Sequence, residues 1–253
     1  MKPFLLSENN LRSITDTEFD LALLPWGATE AHNLHLPYGT DNYETGAFAE
    51  KAAAMAWEQG TKCLVLPAIP YGVNTGQQDI PGTINLYPST QSVILHDILE
   101  SVSNAGIRKF LILNGHGGND FRQMLREAGR DHPELFLASA NWFQAVDKTR
   151  YFELAGDHAD EMETSLMLYL RSDLVQPLEQ AGDGRHRSFR AASLNENWAW
   201  SERMWTRVTR DTGIGNPEKA NAVKGEDYYN AVCEKLAGLI SELGRMKVDD
   251  AYV

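Results

Sequence analysis

Short apolar runs alternate along the chain with longer segments in which apolar residues recur at helical spacing. The apolar runs predict strands at residues 21–25, 63–67, 110–113 and 135–140. The segments with helical spacing predict helices at residues 42–59, 88–105, 121–130, about 160–170 and 218–247. Strands separated in this way by helices form a parallel sheet that is covered on both faces, so the pattern predicts an α/β fold.

Length and charge narrow the class of protein. The 253 residues suffice for a single α/β domain, and we expect one domain over residues 1–253. The formal charge of −12, from 35 acidic and 23 basic side chains, argues against nucleic acid as a partner, because phosphate binding needs a basic surface. No apolar run approaches the length that crosses a bilayer, so we expect a cytoplasmic protein with no membrane partner.

Residues 172–216 have a different character from the rest of the chain. They are rich in arginine and tryptophan and show no clear period. Because both residue types are enriched at interfaces, this stretch predicts a subunit contact. A lid over a substrate and a packed surface excursion are the alternatives.

Three ligand-type side chains follow the first predicted strand, namely Glu30, His32 and Asp41. Carboxylate and imidazole groups are ligands of zinc and manganese. In an extended segment residues i and i+2 point the same way, so Glu30 and His32 can face one pocket. Asp41 has an alternative role as the N-cap of the helix predicted to follow it.

The third predicted strand runs directly into a glycine-rich turn, NGHGGN, at residues 114–119. His116 at its centre is a candidate ligand or base, and the glycines let the backbone approach a ligand closely. The backbone N–H groups of Gly117 and Gly118 are candidates to hold an oxyanion. The alternative is a simple turn with an exposed histidine.

Glu163 shares the apolar face of a predicted helix with Leu166 and Met167. An ionised carboxylate on such a face is costly unless a cation pairs with it, which predicts either a metal ion or an arginine beside Glu163. His158 stands just before this helix. We expect His158 to be exposed enough there to act as an acid or base.

Three segments together resemble the signatures of the creatininase (creatinine amidohydrolase) family: LLPWGATEAHNLHLPYGTD, NGHGGN and DHADEMETS. The Pro-Gly-Thr at residues 81–83 and the segment DTGIGNPEKANAVKGE are similar to further family segments, so the resemblance spans roughly residues 15–240. It implies a three-layer α/β/α sandwich with a mostly parallel central sheet.

The resemblance also implies a centre of two divalent metal ions, zinc and/or manganese. Asp41 would bridge the two ions, His158 would transfer a proton, and Trp142 would match a tryptophan of the substrate pocket. Family members are often homo-oligomers, hexamers among them. The metal ligands that the resemblance implies are Glu30, His32, Asp41, His116 and Glu163.

Creatinine-hydrolysing members carry Tyr-Glu where this chain has Gly117 and Gly118, which argues against creatinine as the substrate but not against the metal centre. We expect a metal-activated water to hydrolyse a carbon–nitrogen bond of a small amide, cyclic amide or formamide. The alternatives are a deformylase or peptide-trimming enzyme on the same scaffold, and a protein that binds metal and a small ligand without turnover.

Overall fold

A four-stranded parallel sheet forms the centre of the computed structural model, which describes residues 2–154, 156–196 and 198–252. The spatial order of the strands is β2-β1-β3-β4, and all three strand pairs are parallel. Their bounds are β1 (Leu21–Trp26), β2 (Cys63–Val65), β3 (Lys109–Asn114) and β4 (Phe136–Asn141). The predicted α/β class is therefore confirmed.

Helices cover both faces of this sheet. Helices α2, α5 and α7 pack on one face, and α3 and α4 pack on the other, which gives the three layers that the family resemblance implies. Among the described residues, no helix has the length and apolar character of a membrane span. The helices are α1 (Leu11–Thr15), α2 (Thr40–Glu58), α3 (Pro88–Asn104), α4 (Arg122–Asp131), α5 (Glu161–Leu170), α6 (Trp205–Val208) and α7 (Ala222–Arg245).

Strand β1 has no solvent-facing side, and this explains its uninterrupted apolar run. Leu23 packs with Phe48 of α2 in the core on one face. Its neighbour Leu24 points the opposite way and packs with Leu99 of α3 on the other face. Since successive strand residues face opposite sides, a strand buried on both sides is apolar at every position.

The largest boundary difference from the sequence prediction lies at the start of α7. The helix was expected from residue 218, but it begins at Ala222. The Asn221 side chain accepts a hydrogen bond from the backbone N–H of Lys224 and so caps the helix there. Upstream, the helical elements of the described residues in 172–196 and 198–216 are short 3₁₀ turns and the one-turn helix α6, in keeping with the lack of a period in this region.

Close contact between α5 and α7 depends on Gly225. A Cβ atom at Gly225 would overlap the backbone carbonyl of Ser165, whereas a Cβ atom at Gly238 in the same helix would meet nothing within 4 Å. We expect Gly225→Ala to lower the free energy of unfolding by about 1–3 kcal/mol through overpacking. The control Gly238→Ala should raise it by up to about 1 kcal/mol through helix propensity. Urea unfolding of both variants tests this, and equal effects would contradict it.

Candidate metal centre

The predicted ligand residues meet at the carboxyl end of the sheet. Trp26 ends β1 and pairs with Asn114, which ends the neighbouring strand β3. Glu30 and His32 lie in the loop after β1, and His116 lies in the loop after β3. Because parallel strands bring their carboxyl ends to one edge, two loops far apart in sequence supply one site.

Two groups of three ligand-type side chains share Asp41. The first is Glu30, Asp41 and His116, and the second is His32, Asp41 and Glu163; within each group the ligand atoms lie within 4.8 Å of one another. His116 Nδ1 is 2.8 Å from Glu30 Oε1 and 3.1 Å from Asp41 Oδ2. His32 Nε2 is 3.0 Å from Asp41 Oδ1 and 3.9 Å from Glu163 Oε2. Each oxygen of Asp41 thus faces a different histidine.

The three histidines of the site are oriented in the same way. One ring nitrogen of each lies against a backbone carbonyl: His32 Nδ1 is 3.1 Å from the oxygen of Glu30, and His116 Nε2 is 3.0 Å from that of Val73. His158 Nε2 is 2.8 Å from the oxygen of Ala31. A carbonyl accepts only from N–H, so each of these nitrogens carries a proton. The other nitrogen of each ring lies within 3.9 Å of a carboxylate oxygen of the site. This is the arrangement in which proteins hold histidine ligands to metals.

Among the described residues, the carboxylates of the site have no lysine or arginine partner. Glu30, Asp41 and Glu163 are all buried, and across the described residues their ion pairs are with histidines alone. Neighbouring acids are paired differently, since Asp160 contacts Lys148 and Glu161 contacts Lys224. The sequence predicts either a metal ion or an arginine beside Glu163. Among the described residues, no arginine forms an ion pair with this carboxylate.

The electrostatics of the cluster favour positive charge. Burial by itself would lower the pKa of His32, but the charge of Asp41 and the hydrogen bond to it raise that pKa to about 10. Burial likewise opposes a charged His116, yet the Glu30 charge and the hydrogen bond to Asp41 raise its pKa well above the ordinary value. Burial raises the pKa of Glu163 to about 8, against the opposing effect of His32. A divalent cation would meet the same requirement for positive charge.

Glycines bring the β3 loop against helix α2. A Cβ atom at Gly115 would overlap the Thr45 hydroxyl of α2, so only glycine lets the loop approach close enough for His116 to reach Asp41. The Asn114 side chain accepts from the backbone N–H of His116 at 3.2 Å and donates to its carbonyl at 2.9 Å. The sequence NGHGGN therefore fixes the position of the histidine.

The third segment presents Glu163 from the first turn of α5. Asp160 is the N-cap, and its side chain accepts from the backbone N–H groups of Met162 and Glu163. Ala159 has φ of +48°, a conformation that non-glycine residues seldom adopt, and its N–H donates to the Glu163 carboxylate. This turn places His158 and Glu163 on the same side of the segment, towards the cluster.

Two expectations about individual residues differ from the structure. Asp41 is not the helix cap, because Gly39 is the N-cap of α2 and Asp41 lies in the first turn. The sequence predicts an exposed His158, but this residue is only 6% exposed: its Nε2–H donates to the Ala31 carbonyl, and its backbone pairs with that of Ile214. The position of His158 just before a helix does not predict its contacts with Ala31 and Ile214, because both residues are distant in sequence.

The residues assigned to substrate contact differ in their surroundings. Trp142 is 1% exposed and packs in the core against Phe48, with ring centroids 4.7 Å apart. Gly117 and Gly118 are exposed beside His116. Their oxyanion role and the substrate contact of Trp142 stay predictions.

Sequence reasoning missed two polar residues near the ligands. Gln77 donates a hydrogen bond from its side chain to the Glu30 carboxylate. Glu44 lies three residues beyond Asp41 on α2 and is fully buried; burial and then the charge of Glu163 raise its pKa well above the ordinary value. The spacing of Glu44 from Asp41 is a usable sequence signal, whereas nothing local marks Gln77.

With this geometry in place, comparison with known proteins identifies the family. Residues 6–240 match the creatininase family, described as creatinine amidohydrolase. The chain belongs to the creatininase family. The match covers all three signature segments.

Individual relatives agree with this assignment. A structure from Bacteroides fragilis NCTC 9343, provisionally named a creatinine amidohydrolase, has 44% sequence identity and a TM-score of 0.92 and covers 98% of this chain and 99% of that chain. The mycofactocin precursor peptide peptidase of Mycobacterium ulcerans (strain Agy99) is 28% identical over 88% of this chain and 84% of its own length. A creatininase structure described as a manganese form has 21% identity and a TM-score of 0.81, covers 96% of this chain and 99% of that chain, and supports the fold alone.

The shared position of Asp41 gives a test of the two ligand groups. Asp41→Asn should weaken metal binding at both groups by more than about 10-fold. Loss of a hydrogen-bond partner of a metal ligand already lowers metal affinity by about that factor, and loss of the ligand itself should cost at least as much. Glu163→Gln should affect only one group. Elemental analysis of each variant, purified after growth with zinc or manganese, measures its metal content. The control is Glu50→Gln, a half-exposed carboxylate on the same helix; wild-type metal content in Asp41→Asn would contradict the assignment.

Proposed function

We propose that the protein is a metal-dependent hydrolase that cleaves a carbon–nitrogen bond in a small amide, cyclic amide or formamide. The observation that carries this proposal is the pair of ligand groups that share one buried carboxylate, Asp41. His158 adds a candidate proton carrier beside the same cluster. Membership of the creatininase family supports the same reaction class.

Zinc and manganese fit the donor set, because both accept imidazole nitrogen and carboxylate oxygen. The backbone carbonyls that hold the outer nitrogens of His32 and His116 fix the tautomer in which the inner nitrogen is free to bind. When bound, two such ions supply an activated water and polarise a carbonyl. We assign to one ion the residues Glu30, Asp41 and His116, and to the other His32, Asp41 and Glu163.

His158 has the properties of a proton carrier in this reaction. Burial, and then the charge of His32, lower the pKa of His158, which favours the neutral form of the ring. Its Nε2–H donates to the Ala31 carbonyl, which leaves the lone pair on Nδ1, 3.9 Å from Glu30 Oε1. His158 Nδ1 therefore accepts the proton of the attacking water and returns it to the leaving nitrogen.

The backbone N–H groups of Gly117 and Gly118 are our candidates to stabilise negative charge on the substrate oxygen. Both residues follow His116 directly and are exposed, so a substrate can reach this part of the loop. Trp142 is a weaker candidate for substrate contact, because its ring is buried in the core.

A peptide-trimming activity is the second candidate function. The observation in its favour is the likeness to the mycofactocin precursor peptide peptidase, which extends over most of both chains. A peptide bond is an amide, so the same ligands and the same histidine would serve. The two candidates differ only in the size of substrate that reaches the cluster.

Three further properties stay predictions of the sequence and its family resemblance. These are a cytoplasmic location, a homo-oligomeric state with a hexamer as the expected form, and the choice between zinc and manganese. Light scattering of the purified protein measures the oligomeric state.

A screen of the metal-loaded protein tests the proposed reaction. We expect turnover of at least one amide, lactam, formamide or short peptide, and loss of that turnover after treatment with a chelator, because the activated water depends on the metal. Binding without turnover across all four substrate classes would instead support a binding protein.

His158→Ala tests the proton carrier. We expect a loss of about 100- to 10,000-fold in kcat, the range of general acid–base catalysis, with metal content unchanged. His186→Ala is the control, because His186 is an exposed histidine. Full activity in His158→Ala would refute its role, and a joint loss of metal and activity would make His158 a ligand, as its grouping with Glu30 and His32 allows.

A further inference from the structure

A short segment of the irregular region 172–216 packs beside the candidate site. It comprises residues 202–206, and we call it the strap. Its backbone passes so close to the 75–77 turn that a Cβ atom at Gly76 would overlap the carbonyl of Arg203. The next residue in that turn, Gln77, donates a hydrogen bond to the Glu30 carboxylate. The strap therefore packs on the turn that supports a proposed ligand.

Three side chains of the strap make polar contacts with neighbouring loops. Arg203 Nη1 is 2.6 Å from Asp157 Oδ2, next to His158 in the chain. Thr206 Oγ1 donates to Asp79 Oδ2 at 2.6 Å, and Glu202 accepts from the Thr75 hydroxyl. The partners are far apart in sequence, so these contacts fix the strap against two separate loops. All three contacts are solvent-exposed, and exposed contacts of this kind hold weakly.

Trp205 is the residue that the strap directs to the site. Its ring centroid is 4.8 Å from that of His158, with the planes at 64°. The His158 ring also lies close to the ring of His32, with the two centroids 4.0 Å apart. The imidazole of His158 thus contacts both a proposed ligand and the indole of Trp205.

The other tryptophans of this region have different surroundings. Trp198 is 72% exposed and Trp200 is 86% exposed, whereas Trp205 is only partly exposed. Arg203 also covers the Trp205 ring, with its guanidinium carbon 5.1 Å from the centroid. The Trp205 indole therefore contacts His158 and Arg203 at once, and these two contacts restrict the orientation of its ring.

We propose that the 202–206 strap closes over the candidate site and that Trp205 is a positioning residue, which holds the His158 imidazole in the orientation that directs Nδ1 to the cluster. An aromatic ring can restrain an imidazole in this way through edge-to-face packing. Trp205 acts through His158, so its removal should lower kcat more than it changes KM. This role favours the lid over the subunit contact as the task of this part of region 172–216.

Chemical modification tests the contact without any need for activity. The metal-loaded wild type, Trp205→Ala, Trp205→Phe and Trp200→Ala are treated with diethyl pyrocarbonate, which acylates accessible imidazole nitrogen. Cleavage after Arg150 and Arg171 releases a peptide in which His158 is the one histidine, so mass spectrometry reads its labelling rate directly. We expect labelling to rise several-fold in Trp205→Ala, to rise less in Trp205→Phe, and to stay at the wild-type rate in Trp200→Ala.

Kinetics on a substrate found by the screen supply the second readout. Trp205→Ala should lose about 10- to 100-fold in kcat, the scale of a misplaced catalytic group, with the smaller change in KM and with metal content intact. Trp205→Phe should recover part of the loss. A wild-type labelling rate in Trp205→Ala, or an equal rise in Trp200→Ala, would overturn the proposal. Only this kinetic part rests on the proposed hydrolase function; if no substrate is turned over, the labelling result still decides the contact.

Discussion

Three buried carboxylates, for which the described part of the chain provides no lysine or arginine partner, determine how the rest of the site is arranged. Removing an ionised carboxylate from water costs several kcal/mol, which only a nearby cation or a dense set of hydrogen bonds can offset. Glu30 comes from a loop, Asp41 from the start of α2 and Glu163 from the start of α5. Three separate elements thus bring their carboxylates together, and the cluster needs positive charge nearby. The adjacent acids Asp160 and Glu161 each contact a lysine, which shows that the fold can provide such partners.

The same requirement explains the surrounding backbone. Carbonyl groups of Glu30, Ala31 and Val73 hold the outer nitrogens of the three histidines, so the loops fix the imidazoles before any ligand binds. The glycine at residue 115 and the strained backbone at Ala159 bring the remaining groups into range. Fold and site therefore depend on one another: the sheet brings the loops to one edge, and close backbone contacts there orient the side chains.

The features that could be predicted from the sequence are those that depend on residues close together in the chain. Strands buried on both faces are apolar at every position, and the five proposed ligands stand in three compact segments of recognisable composition. Contacts made between distant segments had no such signal. Gln77 reaches Glu30 across 47 positions, and Trp205 reaches His158 from a region without a period. The error about the exposure of His158 has the same origin, because its contacts with Ala31, Ile214 and Trp205 come from segments distant in sequence.

The difference from creatinine-hydrolysing relatives is built into the structure around Gly118. The family resemblance implies a glutamate in those relatives at the position that Gly118 occupies. Here a Cβ atom at Gly118 would overlap the carbonyl of Val73 and the His116 ring, and that carbonyl is the group that orients His116. A carboxylate could enter at Gly118 only if Val73 moved and the histidine lost its hydrogen bond. The proposed centre must therefore work with the carboxylates that it already has, which favours an amide other than creatinine as the substrate.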